Sequence, residues 1–316
     1  MDATPPDPKI SVIVPAKNAG TQLQPCLDAL FNQSIPVYEV ILVDGNSTDD
    51  TVEIAGQYPL RIISEDYGTV GGARQAGFEE ASGDYVAYTD ADCRPLPDWL
   101  EHLSPELRRG VAGVGGGVRN IGSGIWEESI ALALDTFLGS ANSVQDRLIP
   151  YKKKVSSISG CNCMYRRLDL LEVGGFDVGL PVNEDTELNR RIRRLGDLVY
   201  TPDALVLHEQ KRGLGDFARR MHFFGYGRGR NRLWDLQVAP PVLGLFVIFT
   251  YFSFFEVFLL LLLIYFGLII LFDLAIFVRT RRPAYLLSVP VVYLVEHLSY
   301  MLGFWHGLAH SFWRKS

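Results

Sequence analysis

The chain has 316 residues, room for one large domain or two ordinary ones. Acidic residues outnumber basic ones, 36 to 30, and the resulting net charge of −6 argues against nucleic acid as a partner. Apolar residues make up 48%, an ordinary globular share, but they crowd into a C-terminal run that no soluble helix needs.

Residues 1–9 are polar and proline-rich and lack the apolar core of a signal peptide, so they read as a tail and the chain beyond them as folding in the cytosol. Apolar runs then alternate with helical patterns. "ISVIVPAKN" is a strand leading into a loop, and "TQLQPCLDALFNQ" an amphipathic helix. "YEVILVDGNSTDDT" is a second strand with a polar exit, "VEIAGQY" a helix, and "LRIISED" a third strand. "GGARQAGFEEAS" is a small-residue helix, and "DYVAYTDAD" the fourth strand. This alternation predicts right-handed crossovers and an α/β, mostly parallel sheet over residues 10–210. Ligands of such sheets bind beyond the carboxyl ends of the strands. Polar residues gather there: Lys17 and Asn18, Asp44 and Ser47, Asp90 and Asp92.

Asp90 and Asp92 stand two apart, so an extended chain points both carboxylates the same way. Paired oxygens suit Mg or Mn, which share their ligands with substrate phosphates. An acidic pair can equally keep a turn solvated.

The second half is less regular. "GVAGVGGGVRN" reads as a glycine-rich strand and "WEESIALALDTFL" as a helix. "SISGCNCMYRRLDLLEVGGF" joins a strand to a helix, and "NEDTELNRRIRRLG" is a helix stopped by Gly196. "LVYTPDALVLH" supplies one or two short strands. Four cysteines, 26, 93, 161 and 163, suit a reducing compartment. Without a second ligand pair, C-x-C at 161–163 reads as two small buried residues.

Residues 211–240 carry Leu214, Phe217, Met221 and Phe224 at helical spacing among arginines, which predicts a helix lying on a membrane surface. The region 241–313 is expected to be transmembrane. From 242 to 278 only Glu256 and Asp273 interrupt the apolar run, about 55 Å as a helix. That length suits a hairpin with Glu256 near its tip, or one tilted helix. Arginines at 219–232 and 279–282 flank the run and place both its ends on the cytosolic side. Residues 285–313, with Glu296, His297, His306 and His310, read as a third span with its polar side chains turned inward, an interfacial helix being the alternative.

"SVIVPAKNAG", "ILVDGNSTDDT", "GGARQAG" with "ASGDYVAYTDAD", "SGCNCMYRR", "NEDTEL" and "LVLHEQ" resemble, in order, the motifs of family 2 glycosyltransferases, over about residues 10–232. The resemblance implies a GT-A (Rossmann-like) fold, a nucleotide-sugar donor and a divalent cation. The apolar tail resembles that of members acting on polyprenyl-linked acceptors among membrane lipids. Pro15, Ala16, Asn18 and Asp44 match the nucleoside positions, and Gly71, Gly72 and Arg74 the loop beside base and phosphates. Asp90, with Ala91, matches the sugar side of the donor site; Asp92 and His208 match the metal ligands.

An inverting transfer needs a carboxylate to take the acceptor hydroxyl's proton. The resemblance gives that role to Asp185, with Glu184 beside it. Both also fall in the first turn of a predicted helix capped by Asn183, where acidic residues complement the dipole without catalysis. The Gln-x-x-Arg-Trp motif of processive members is absent, which favours addition of one sugar. Arg219, Arg220 and Arg228 are read as holding the donor diphosphate, the acceptor's phosphate or lipid headgroups, and Lys152–Lys154 as a solvated loop within reach of an anion.

The expected reaction moves one sugar, from GDP-mannose ahead of UDP-glucose or a UDP-N-acetylhexosamine, to a lipid-linked phosphate or diphosphate. Its rivals are a sugar-phosphate nucleotidyltransferase, whose G-x-G-x-R loop "PAKNAG" does not match, and a non-catalytic membrane partner.

Overall fold

The computed structural model describes residues 8–313 apart from 141, 142, 145, 146, 210 and 212. The chain divides into two compact units, Met1–Asn120 with Ser143–Glu209, and Ile121–Asn142 with Gln210–Ser316.

The first unit is a nine-stranded sheet in the order β3-β2-β1-β4-β8-β6-β9-β5, with β7 on β9. Its strands are β1 Ile10–Ala16, β2 Glu39–Asp44, β3 Arg61–Ser64, β4 Tyr85–Tyr88, β5 Cys93–Pro95, β6 Val111–Ile121, β7 Lys153–Val155, β8 Cys163–Arg166 and β9 Asp197–Glu209. The four strands of the alternating half pair in parallel. Antiparallel pairing takes over at β8 against β4 and at β6 against β8, so the α/β sheet is mixed. β1 is buried along nearly its whole length because helices cover both faces, as its unbroken apolar run requires. "LVYTPDALVLH" lies within one long strand, β9, rather than two. Asn162 is fully buried and braces this half. Its amide donates to Gly117 O at 2.8 Å and Ala204 O at 2.9 Å and accepts from Trp99 Nε1 at 2.7 Å.

The second unit is helical. Residues 121–142, read from sequence as part of the sheet domain, belong here. Ile130, Ala133 and Leu134 share a core with Phe217, Met221, Tyr285, Val289 and Tyr293. The stripe read as facing lipid is therefore turned inward: Phe217 and Met221 are buried against other helices, and Leu214 and Phe224 pack beside them. An apolar stripe does not record whether its partner is lipid or protein.

Among the described residues three helices are long and apolar enough to cross a membrane, at Leu236–Ser253, Phe255–Thr280 and Tyr285–Phe312. The break at Phe254 puts Glu256 in the first turn of the second. The helix Leu214–Arg230 packs backbone to backbone on Tyr285–Trp313. A Cβ on Gly225 would strike Tyr300 O, on Gly229 Phe304 O, on Gly303 His222 O and on Gly307 Tyr226 O. Two glycine pairs four residues apart thus permit the contact. Gly303→Val should destabilise the purified protein by at least about 1–3 kcal/mol, read as a melting temperature lower by several degrees in detergent. Gly267→Ala, where a Cβ meets nothing within 4 Å, should leave it unchanged or raise it.

Candidate active site

The ends of β1 and β2 lie side by side, Ala16 opposite Asp44. Their exit loops hold one another. The Asn18 N–H donates to Ser47 Oγ at 2.9 Å, and Asn18 Oδ1 accepts from the Thr48 N–H at 2.8 Å. Asn18 has φ 51°, a left-handed conformation that asparagine tolerates. Asp44 is buried, and both its oxygens accept from the Ser47 N–H at 3.2 Å. Pro15, Ala16, Asn18 and Asp44 are thus brought to one strand end.

Gly71 and Gly72 open the helix Val70–Glu80, capped by Thr69 Oγ1, which accepts from the Gly72 N–H at 2.9 Å. Protein fills the space they leave. A Cβ on Gly71 would come within 2.5 Å of Asp177 O, and one on Gly72 would strike Tyr67. The bareness of Gly71 lets this helix seat against the loop that leads to Asp185, and that of Gly72 admits Tyr67 from the preceding segment.

Arg74, on the same helix, ties the site together. Its guanidinium is 3% exposed, donates to Asp90 Oδ1 at 2.7 Å and forms an ion pair with Glu184. Burial alone would lower Arg74, but Asp90, then Glu184 and Asp185, outweigh it and hold the group cationic. Glu184, read as a catalytic candidate, is 6% exposed and occupied by Arg74. A carboxylate so enclosed is a positioning group, and that candidacy is corrected here. Burial pushes it up while Arg74 pulls it down.

Asp185 starts the helix Glu184–Ile192 after Asn183 in the left-handed region, φ 61°. Its Oδ2 accepts from the Gly160 N–H at 3.1 Å and its Oδ1 from the Thr186 N–H at 2.6 Å. Gly160 is pressed on Arg74, where a Cβ would come within 2.5 Å of Nη1. Backbone donors thus fix a half-buried carboxylate next to the Arg74 hub.

Beyond β4, Ala91 is buried between Asp90 and Asp92. β5 then pairs with β9, Cys93 opposite His208, which brings His208 Nε2 within 3.3 Å of Asp92 Oδ2. His208 Nδ1 bonds Asn120 Oδ1 at 2.6 Å. Because the partner is a carbonyl oxygen, Nδ1 carries the proton. His208 Nε2 and the Asp92 carboxylate thus stand side by side, and together they offer the nitrogen and oxygen donors that a divalent cation takes. The residues fit such an ion. Cys93 lies within reach of the pair, but burial, then Cys161 and the two aspartates, pushes its thiol well up. A protonated thiol suits Mg or Mn poorly. Cys163 is fully buried on β8 and Cys161 half-buried, as two small packed residues would be.

The arginines predicted for phosphate lie in the second unit. Arg228 is 3% exposed and ion-paired to Asp235, so it holds helix to turn and is not available to a phosphate, which corrects that expectation. Arg219 is exposed beside Asp216, and Arg220 stacks over Phe224 at 4.8 Å. Lys152 pairs with Glu106 and Lys154 with Asp197. Reading by sequence missed Asn120 and Gly160. Each acts through a partner far along the chain; Asn120 sits in no motif, and Gly160, inside "SGCNCMYRR", shows its role only through Asp185.

Comparison with known proteins agrees with this geometry. The profile "Glycosyl transferase family 2" matches residues 11–174. "Glycosyltransferase AglE" of Haloferax volcanii is 30% identical over 244 residues, 73% of this chain and 75% of that one. A Methanococcus voltae protein, "Dolichyl N-acetyl-alpha-D-glucosaminyl phosphate 3-beta-D-2,3-diacetamido-2,3-dideoxy-beta-D-glucuronosyltransferase", is 25% identical and covers 95% of this chain and 97% of its own. Among solved structures, "Mannosyltransferase PcManGT from Pyrobaculum calidifontis in complex with GDP-Man and Mn2+" shares the fold. Its TM-score is 0.62 at 18% identity, over 98% of this chain and 88% of that one. The profile match opens on β1 and closes at the turn of Gly174, taking in the strand ends, Arg74 and the D-A-D loop; the chain belongs to glycosyl transferase family 2 and is a glycosyltransferase with a GT-A-like fold.

Proposed function

We propose that this enzyme transfers one sugar, with inversion, from a nucleotide-sugar donor, GDP-mannose by preference, to a polyprenyl-linked phosphate or diphosphate acceptor at the cytosolic face of a membrane. The observation that carries the reading is the Arg74 clasp. One guanidinium joins Asp90, past the end of β4, to the helix start that bears Asp185. Donor-side and acceptor-side carboxylates therefore answer to one cation. The dolichyl-linked substrate named for the Methanococcus voltae relative supports the acceptor class.

In this reading Asp44 accepts hydrogen bonds from the donor's base and Asp90 meets the sugar. Asp185 takes the proton of the acceptor hydroxyl as that oxygen bonds to the anomeric carbon. The bond from the anomeric carbon to the phosphate oxygen breaks, and nucleoside diphosphate leaves. Asp92 and His208 would hold Mg or Mn, which when bound supplies a Lewis acid for the leaving diphosphate. Exposed Arg219 and Arg220 face anionic headgroups. The flanking arginines favour a hairpin, 239–280, that crosses the membrane and returns to the cytosolic side.

The test is nucleoside diphosphate release by the full chain in membranes. GDP-mannose, UDP-glucose and UDP-N-acetylglucosamine are each supplied with and without polyprenyl phosphate, sugar-linked polyprenyl diphosphate, and Mn²⁺. Release should need donor, lipid acceptor and cation together. GDP as the product supports the donor; UDP instead removes the mannose assignment and leaves the rest, and release indifferent to lipid rejects the acceptor class.

A further inference from the structure

The helix Tyr285–Trp313 is apolar enough to cross a membrane, but two of its neighbours are not. Its first half is accompanied by residues 128–138. Tyr285 bonds Glu128, Ser288 Oγ meets Ser129 Oγ at 2.7 Å, Tyr293 OH meets Thr136 Oγ1 at 2.9 Å, and His297 Nε2 meets Leu138 O at 3.1 Å. Its second half is accompanied by the arginine-rich helix. To the glycine contacts already described are added Tyr226 OH to His310 Nδ1 at 2.7 Å and Arg232 over the Phe312 ring at 4.7 Å. Companions therefore flank it from Tyr285 to Phe312.

Those companions are charged. The first bears Glu128 and Asp135, the second Asp216, Arg219, Arg220 and Arg230. A C-terminal helix that crossed the membrane would draw both through the hydrocarbon. Each such charge is costly at mid-bilayer even on the most lenient scale, and several would have to pass.

The other apolar pair, Ala239–Ser253 and Phe255–Thr280, also packs on the C-terminal helix, the second arm along Tyr265 to Arg279, where Ile269 and Ile276 share a core with Tyr285, Val289 and Tyr293. Trp305 Nε1 donates to Pro241 O at 3.2 Å, and Met301 packs on Gly244. On the second arm Tyr265 OH meets His297 Nδ1 at 2.9 Å, and Arg279 pairs with Asp135 at 3.2 Å. Short of these contacts the arms expose Phe246, Phe249, Phe252, Leu259 and Leu263 with Glu256 among them, while Asp273 is buried on the second arm.

We infer that the C-terminal helix does not cross the membrane but lies along its surface as a platform whose partner is a phospholipid bilayer, while the two arms enter the hydrocarbon only where they run free of it, between about Gly244 and Tyr265. The face offered to lipid is Leu287, Leu298 and Leu302, 79%, 53% and 61% exposed. At 100° per residue these three fall within about 60° of one another, a single stripe. The inference rests on the membrane half of the proposed function and is independent of its chemistry.

The test uses the full chain with one cysteine introduced by Ala284→Cys or by Ser316→Cys, in sealed vesicles exposed to a membrane-impermeant maleimide. Both positions should be labelled together, or both protected until the vesicles are opened. One labelled while the other is protected means the helix crosses, and overturns the inference. The same labelling at the N-terminal tail, compared with Ala284→Cys, reports on the arms separately, so a failed hairpin is told apart from a failed platform. Nitroxides at Leu287→Cys and Leu298→Cys give a second readout. Equal depth near the headgroups supports the platform; a difference near the ~16 Å that separates them along a helix rejects it.

Discussion

Asp185→Ala should lower kcat by about 10²–10⁴-fold while the full chain still shows the wild-type thermal shift with nucleoside diphosphate. The size reflects the role. Losing the proton acceptor leaves attack to an unassisted hydroxyl, whereas the nucleotide is held by other groups. The competing account is that Asp185 merely complements the N-terminus of its helix. In that case the substitution costs about 0.3–1 kcal/mol of stability and leaves kcat alone. The geometry favours the first outcome, because Asp185 is braced by the Gly160 N–H from another segment as well as by its own helix start. A measured kcat within threefold of wild type would sink the assignment. Glu184→Gln supplies the contrast. That side chain is enclosed around Arg74, so its loss should show first as stability and only second as rate.

The same residues show how far sequence reaches. Strict alternation of apolar runs and helical patterns specifies the parallel half, since each crossover is short and local. The antiparallel half is joined by pairings such as Tyr85 with Arg166, which no local period announces. β5 is three residues containing a proline, tolerable only with few ladder bonds; yet it sets Asp92 beside His208. The D-A-D spacing and the ordered motifs were readable because they are contiguous. Asn120, 88 residues from the histidine it orients, was not. Nor was the pairing of Gly225 and Gly229 with Gly303 and Gly307, whose meaning appears only when two backbones touch. Arg74 was found by motif, but its carboxylate partners were not legible. From sequence it stood near phosphates, and in the fold two carboxylates take up its guanidinium.

Arg74→Met should therefore be the most damaging single change to the first unit, at about 3–5 kcal/mol, because it strands the buried Glu184 carboxylate. The Asp90 arm contributes less of that loss, since Asp90 is 35% exposed and water screens it. Arg74→Lys should recover little: a point charge cannot fork to both carboxylates. Burial outweighs Arg74 even in the wild type and holds Glu184 above its ordinary value; without Arg74 nothing opposes burial, the value rises further, and the folded variant prefers the protonated acid over a wider range of pH. The variant should then be closest to wild type below the ordinary carboxyl range, where Glu184 is protonated in both states, and should lose ground as pH rises through the raised value. Urea unfolding monitored between pH 4 and 8, on the order of the titration window, reads this slope. Adding Glu184→Leu to Arg74→Met removes the stranded charge and should return much of the stability and abolish the slope. It should not return activity, because Asp90 has still lost the donor that aims it. A double variant that regains both would mean that the clasp serves the fold alone; one that regains stability without turnover would tie Arg74 to the placing of Asp90.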